Sequence, residues 1–206
     1  MQNKLHNIID DSWEMKEEFM GGPEHTMRVG LVTNTVMNSI PVVIPDISEL
    51  MEVPEDFKID FNNLADLNVP VLLHTSMDSF QLAVLIVHDK DSNHIQCYPF
   101  GNLNEGGYWW LYDLAFDMVP TGLVEIRPVN PIIEEESSLQ EPTQEMMSHL
   151  EAIAIVVSAF VYRYQNGEIE LTEDSDDFSK INKKRSKNNK APIVNNWTPT
   201  YVKNED

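Results

Sequence analysis

Residues 80–98 set the tightest limit on what this chain can fold into. Phe80–Val87 is an apolar run broken only by Gln81, and five polar residues follow, Asp89-Lys90-Asp91-Ser92-Asn93, before His94–Tyr98. Two stretches of strand length about a short polar turn describe a β-hairpin with a five-residue loop. Other segments fit the same sheet. Val69–Leu73, Met27–Thr35 and Ile40–Ile44 are rich in apolar and β-branched residues. Pro41, Pro45 and Pro54 place some of these strands at sheet edges, because proline cannot donate to a ladder. Tyr108–Tyr112 and Gly122–Arg127 extend the sheet, and a last strand falls between Ala191 and Val202.

One long helix is expected beside the sheet. Met146, Leu150, Ile153, Val157, Phe160 and Tyr164 recur at helical spacing. From Ala152 to Val161 nearly every face is apolar, so the helix must be buried on most sides. Ser138-Leu139-Gln140-Glu141 reads as a capping box, Pro142 suits a first turn, and Asn166-Gly167 ends the helix. A short acidic helix is expected within residues 1–22, closed by Gly21-Gly22-Pro23. Layer packing then gives an α+β fold, an antiparallel sheet of about five to seven strands against the helix near 142–165, in a single domain over residues 1–206.

Charge is distributed unevenly. Before Lys180 the chain has thirty-two Asp/Glu against seven Lys/Arg, a balance of −25. Six of its fourteen basic residues then fall within eleven positions: Lys180, Lys183, Lys184, Arg185, Lys187 and Lys190. Directly before them runs an acidic stretch, Glu168 to Asp177. With few apolar anchors, residues 168–190 read as a mobile charged segment. The net charge of −20 repels nucleic acid at long range, which disfavours direct nucleic-acid binding. The single cysteine, Cys97, allows no internal disulfide. The longest apolar run, Ala152 to Tyr162, is too short to span a bilayer, so no membrane contact is expected. The N-terminus turns acidic where a signal peptide needs an apolar core.

The C-terminal order of elements carries a resemblance. An apolar helix leads to a polar loop, then to Asn182-Lys183-Lys184-Arg185-Ser186-Lys187-Asn188-Asn189-Lys190-Ala191-Pro192-Ile193, then to a short terminal strand. This resembles uncharacterised bacteriophage proteins that end in an N-x-x-R-x-K-x-x-K-x-P segment followed by a strand. Those proteins usually carry a small residue, often glycine, before the last lysine, where this chain has Asn189. The resemblance implies a phage origin and a place in the host cytoplasm or the virion. It implies no activity.

Candidate sites compete with plainer readings. Asp89 to Asn93 imitates the start of a calcium loop, but His94 and Phe100 stand where glycine and the closing glutamate are required, so it is a hairpin tip. His88, Asp89, Asp91, His94 and Cys97 lack the paired spacing of a zinc site, and no metal or other cofactor is expected. Cys97 sits on a strand in acidic surroundings that disfavour its thiolate, and reads as core. Asp113, Asp117 and Glu125 would form an acid/base pair only if folding gathered them. Tyr108, Trp109, Trp110 and Tyr112 form the densest aromatic cluster; alternation assigns one face to the core and leaves the other as an interface anchor. Lys183, Lys184 and Arg185 centre the basic stretch, which either neutralises the acidic loop beside it, stays solvated, clamps phosphates or RNA, or meets an acidic partner.

The expected function is therefore binding without catalysis. A phage-encoded acidic protein would occlude a basic host protein, such as a nucleic-acid-binding or defence protein, with DNA mimicry as one version. The alternative is a structural or assembly component of a virion. Homo-oligomerisation is compatible with both.

Overall fold

A computed structural model describes residues 8, 30–32, 34–61, 69–77, 80–89, 91, 93–103, 109–110, 115–120, 124–128, 144–190 and 192–202. The strands are β1 (Ile40–Ile44), β2 (Val71–Met77), β3 (Phe80–Asp89), β4 (His94–Leu103), β5 (Trp109–Trp110), β6 (Phe116–Pro120), β7 (Val124–Pro128), β8 (Ile169–Glu173) and β9 (Trp197–Tyr201). The helices are α1 (Ile47–Leu50), α2 (Gln144–Gln165) and α3 (Ser179–Lys187). Residues 30–37 are also helical wherever described.

The strands form one sheet in the order β7-β6-β4-β3-β2-β1-β9-β8, with β5 beside β4. The fold is α+β as expected, but the sheet is mixed rather than wholly antiparallel. β1 runs parallel to both β2 and β9, and every other pairing is antiparallel. The parallel β1–β2 pair requires a crossover, supplied by residues 45–70 and including α1. The expected hairpin is present, with Phe80↔Leu103 through Asp89↔His94 in register. Asp89 and His94 pair, which shortens the loop to residues 90–93. Asp89 Oδ1 accepts the Asp91 amide at 3.0 Å, and Asn93 takes a left-handed φ of 54°.

Pro41 does not mark an edge, because β1 lies inside the sheet. The missing donor is tolerated because β1 meets β9 through a single register pair, Val42↔Trp197, and β9 carries a proline of its own, Pro199. Two prolines at this seam keep the parallel pairing short.

Period-two alternation sorts the side chains onto two faces. Val71, Leu73, Leu82, Val84, Ile86, Ile95, Cys97, Phe116 and Met118 share a core with α2, joined by Val42, Ile44 and Ile169. The helix contributes Leu150, Ile153, Ala154, Val157, Phe160 and Val161 to that core. It is buried on most sides, as its all-round apolar run requires, with Ile155 left exposed.

The opposite face is also covered. Ile8, Val32 and Val36 pack on Leu72, Ala83, Leu85 and Phe100. Here Met27–Thr35 departs from expectation, since the described part of it is helical rather than strand. Val32 and Val36 are one helical turn apart and both buried, whereas Leu31 and Met37 are exposed. Burial of two valines, roughly 1.5 kcal/mol or more each, outweighs the roughly 0.5 kcal/mol that each β-branched residue costs a helix.

Residues 168–190, expected from composition to be a mobile charged segment, contain the strand β8 and the helix α3. The proposed capping box at 138–141 and Pro142 lie outside the described residues. So does the N-terminal helix, apart from Ile8, which is helical and buried.

Candidate functional site: two charged ends of the β8–β9 ladder

β8 closes the sheet, and β8 and β9 pair from Ile169↔Tyr201 to Glu173↔Trp197. The two ends of this five-residue ladder lie about 13 Å apart. Each end is built from the same kinds of local contact, and each presents charge of opposite sign.

The Ile169–Tyr201 end carries an acidic collar. α1 begins two residues past β1, where Asp46 caps it. The Asp46 carboxylate accepts the Ser48 amide at 2.8 Å and the Ser48 hydroxyl at 2.6 Å. The Ser48 hydroxyl, and then the Ser48 amide, hold the Asp46 carboxyl below its usual range. From Asp46 to Asp60 the chain exposes Asp46, Glu49, Glu52, Glu55, Asp56 and Asp60, against Lys58 alone as a cation. This segment is fastened to the end of α2. Gln165 accepts the Asp60 amide and donates to the Lys58 carbonyl, each at 3.3 Å, and Phe57 packs edge-on against Tyr162 at 5.3 Å.

Arg163 is the central fastener. It is only 9% exposed. Its Nε donates to the Leu50 carbonyl at 3.0 Å, its second terminal nitrogen to the Glu52 carbonyl, and Nη1 to Glu168 Oε2 at 3.1 Å. The guanidinium lies 5.4 Å from the Tyr201 ring centre. One buried cation thus ties α1, α2, β8 and β9 together, leaving the collar carboxylates facing water. Burial, and then the Glu49 carboxylate, raise the Tyr201 phenol, with Arg163 pulling the other way. Gly167 closes α2 at φ 68°, with Glu168 N to Arg163 O at 2.9 Å and Gly167 N to Tyr164 O at 3.2 Å, a Schellman turn.

The Glu173–Trp197 end carries the basic helix. Asp177 Oδ1 accepts the Ser179 amide at 2.9 Å, repeating the Asp-x-Ser start of α1. That backbone bond is the main cause holding the Asp177 carboxyl below its usual range. α3 ends in a second Schellman turn, with Lys190 N to Arg185 O at 3.0 Å and Asn189 N to Ser186 O at 3.2 Å. Asn189 supplies the φ of 54° that glycine gives at 167. The tight turn before the last lysine is made here by asparagine, which tolerates the left-handed region better than other residues with a side chain. Asn182 fixes the helix to the return strand, donating to the Ile193 carbonyl and accepting the Ile193 amide, both at 2.7 Å.

Asn182 faces inward, and the lysines consequently face outward. Lys180, Lys183, Lys184 and Lys187 follow i, i+3, i+4, i+7 spacing, a stripe about 100° wide and about 10 Å long. All four are exposed and form no ion pair among the described residues. None of them makes a contact ion pair with the neighbouring acidic run. Arg185 lies off the stripe, is partly buried, and is engaged in other contacts.

The aromatic candidates lie elsewhere. Trp109 and Trp110 form β5, paired with Gly101 and Phe100 of β4; Tyr108 and Tyr112 lie outside the described residues. β3, β2 and β1 separate β4 from β9, about 19 Å across the strands. The structure therefore does not unite Trp109 and Trp110 with Lys183, Lys184 and Arg185.

The turn residues also divide. His88 and Cys97 belong to the α2 face, and Asp89 and His94 to the other, as alternation demands. On that second face His94 Nε2 lies 3.6 Å from Asp89 Oδ2 and 3.7 Å from Asp117 Oδ2. Gln96 Nε2 lies 3.5 Å from the same ring nitrogen, and the Tyr98 hydroxyl donates to Gln96 Oε1 at 3.1 Å. Burial, then Asp117, raise the Tyr98 phenol. Sequence spacing did not reveal this cluster, because Asp117 arrives from β6 through the Gln96↔Asp117 register. Asp117 has Arg127 as its cross-strand neighbour on β7, not Glu125, and Asp113 lies outside the described residues. Among the described residues no group of three or more His, Cys, Asp or Glu is arranged to hold a metal ion. Cys97 is buried in the core, 3.8 Å from the Met118 sulfur; burial, then Asp117, hold its thiol well above its usual pKa.

Among the described residues no helix is long and apolar enough to cross a membrane. No protein-family model, curated protein or solved structure matches the chain.

Proposed function

We propose that this chain is a non-enzymatic, phage-encoded binding protein whose acidic collar, Asp46 to Asp60, occludes a basic surface on a host protein. The observation that carries this reading is the collar's construction. Six exposed carboxylates lie within fifteen residues, on a segment fastened to α2 by Arg163, Gln165 and Tyr162. A preorganised charged surface loses little conformational entropy on docking, and it steers a cationic partner toward it. The phage origin rests on the sequence resemblance at residues 182–193. The Trp109–Trp110 strand serves in this reading as a second, apolar contact outside the collar. DNA mimicry would be the version in which the partner normally receives phosphates.

The test is affinity capture from host lysate with the full chain and with a Glu49/Glu52/Glu55/Asp56→Lys variant, at low and high salt. The expected result is a basic host protein retained at low salt by the wild type alone and released as salt rises. Equal capture by the charge-reversed variant would refute the collar as the contact surface.

A further inference from the structure

The lysine stripe on α3 remains unexplained by occlusion of a basic partner. Its four side chains have no ion pair among the described residues, although Asp174, Asp176 and Asp177 stand close by in sequence. The backbone geometry accounts for this. Asp177 is turned back onto the Ser179 amide just ahead of the helix, and Asn182 turns the opposite side of α3 toward Ile193. The stripe needs a partner that is acidic, compact, and tolerant of the carboxylates around it. A long polyphosphate laid along α3 would extend toward Glu173, Asp176 and Asp177, exposed and just ahead of the helix in the chain.

The chain itself offers such a surface. The collar and the stripe lie at opposite ends of the β8–β9 ladder, at the margin of the sheet. We propose that this chain pairs with a second copy of itself about a two-fold axis beside β8, so that the lysine face of each copy rests on the acidic collar of the other. Both copies have the same separation between their charged ends, so an antiparallel arrangement satisfies both contacts at once and closes as a dimer. Glu170 and Glu173, exposed on β8, oppose direct hydrogen bonding between the two edge strands and leave the ends to make the contact. The net charge of each copy does not forbid this. At physiological salt repulsion is screened over about 8 Å, whereas opposed side chains act at contact. This proposal does not depend on the host-partner reading, since it concerns purified chain alone.

Sedimentation velocity on the purified full chain tests it. The wild type is expected to be a dimer at near-physiological salt and a monomer at high salt. A Lys180/Lys183/Lys184/Lys187→Glu variant and the Glu49/Glu52/Glu55/Asp56→Lys variant should each be monomeric, with circular dichroism confirming that both are folded. Mixed in equal amounts they should associate, because one contact is restored with its signs exchanged and the other has its wild-type signs. A milder Lys→Gln version of the stripe should weaken the wild-type dimer roughly tenfold or more without reversing charge. A monomer under all conditions, a dimer unaffected by either variant, or a mixture that stays monomeric overturns the proposal. So does a wild-type monomer that shifts short duplex DNA or RNA through the same lysines, which would assign the stripe to phosphate.

Discussion

The collar end and the lysine end of the β8–β9 ladder are built alike and differ in what holds them. Each helix follows an Asp-x-Ser turn whose Asp accepts the Ser amide, each end has a helix that closes in a Schellman turn, and, beside Gln165 at the collar, each end has one polar side chain bonded to distant backbone. At the collar that side chain is Arg163, which reaches the Leu50 and Glu52 carbonyls more than a hundred residues away. At the lysine end it is Asn182, which reaches Ile193, eleven residues away. The first fastening spans the tertiary fold and the second closes one loop. The lesson is that local capping devices fix backbone while leaving the outward side chains free, so the same construction can carry either sign of charge.

That contrast can be broken most strongly at Arg163. Arg163→Ala strands Glu168 and two carbonyls and removes the cation over Tyr201. It should lower global stability by about 3 kcal/mol, read as a shift of the urea midpoint. The matching change at the other end, Asn182→Ala, should cost about 1–2 kcal/mol, and only locally. Amide exchange should quicken over residues 179–193 while the amides of β3 and β4 keep their protection. Equal global destabilisation by both variants would erase the distinction.

The two Schellman turns sharpen it further. Gly167→Ala forces a side chain into φ 68°, where a Cβ meets open space, so the cost is conformational alone, about 1 kcal/mol. Asn189→Gly should act in the opposite direction by about 0.5 kcal/mol, because it relieves the same backbone conformation. Thermal denaturation of both variants checks the pair of signs.

The smallest effect is with pH. Asp46 and Asp177 have folded pKa values below their usual range, so their hydrogen bonds to Ser48 and Ser179 contribute fully above that range. The contribution is lost as pH falls through the lowered folded values. Protection factors at the starts of α1 and α3 should fall there together, and replacing either Asp by Asn should flatten the response at its own helix alone.

Much of the architecture was legible because its pattern is local. The Phe80–His94 hairpin and the α2 helix follow from apolar runs whose length and period have few alternatives. Cys97 was correctly read as core. Other features depended on partners far along the chain. Val32 and Val36 sit in a helix because the sheet face under them needs cover, which β-branched composition does not reveal. β8 was hidden under its charge: Glu170 and Glu173 face water, while Ile169 supplies the buried anchor. Nothing in sequence spacing shows how far the aromatic candidates lie from the basic ones; three strands separate β4 from β9.

By itself the sequence determined the strong acidity, the concentration of lysines between 180 and 190, the hairpin and the buried helix. These depend on composition and on neighbours within a few turns. Only the tertiary structure decided that β1 runs parallel to β2 and β9, that Arg163 clamps residues 50 and 52, and that acidic and basic surfaces fall at opposite ends of one ladder. Such arrangements are set by which strands lie side by side, and strand adjacency is chosen by burial of the whole sheet rather than by any one segment.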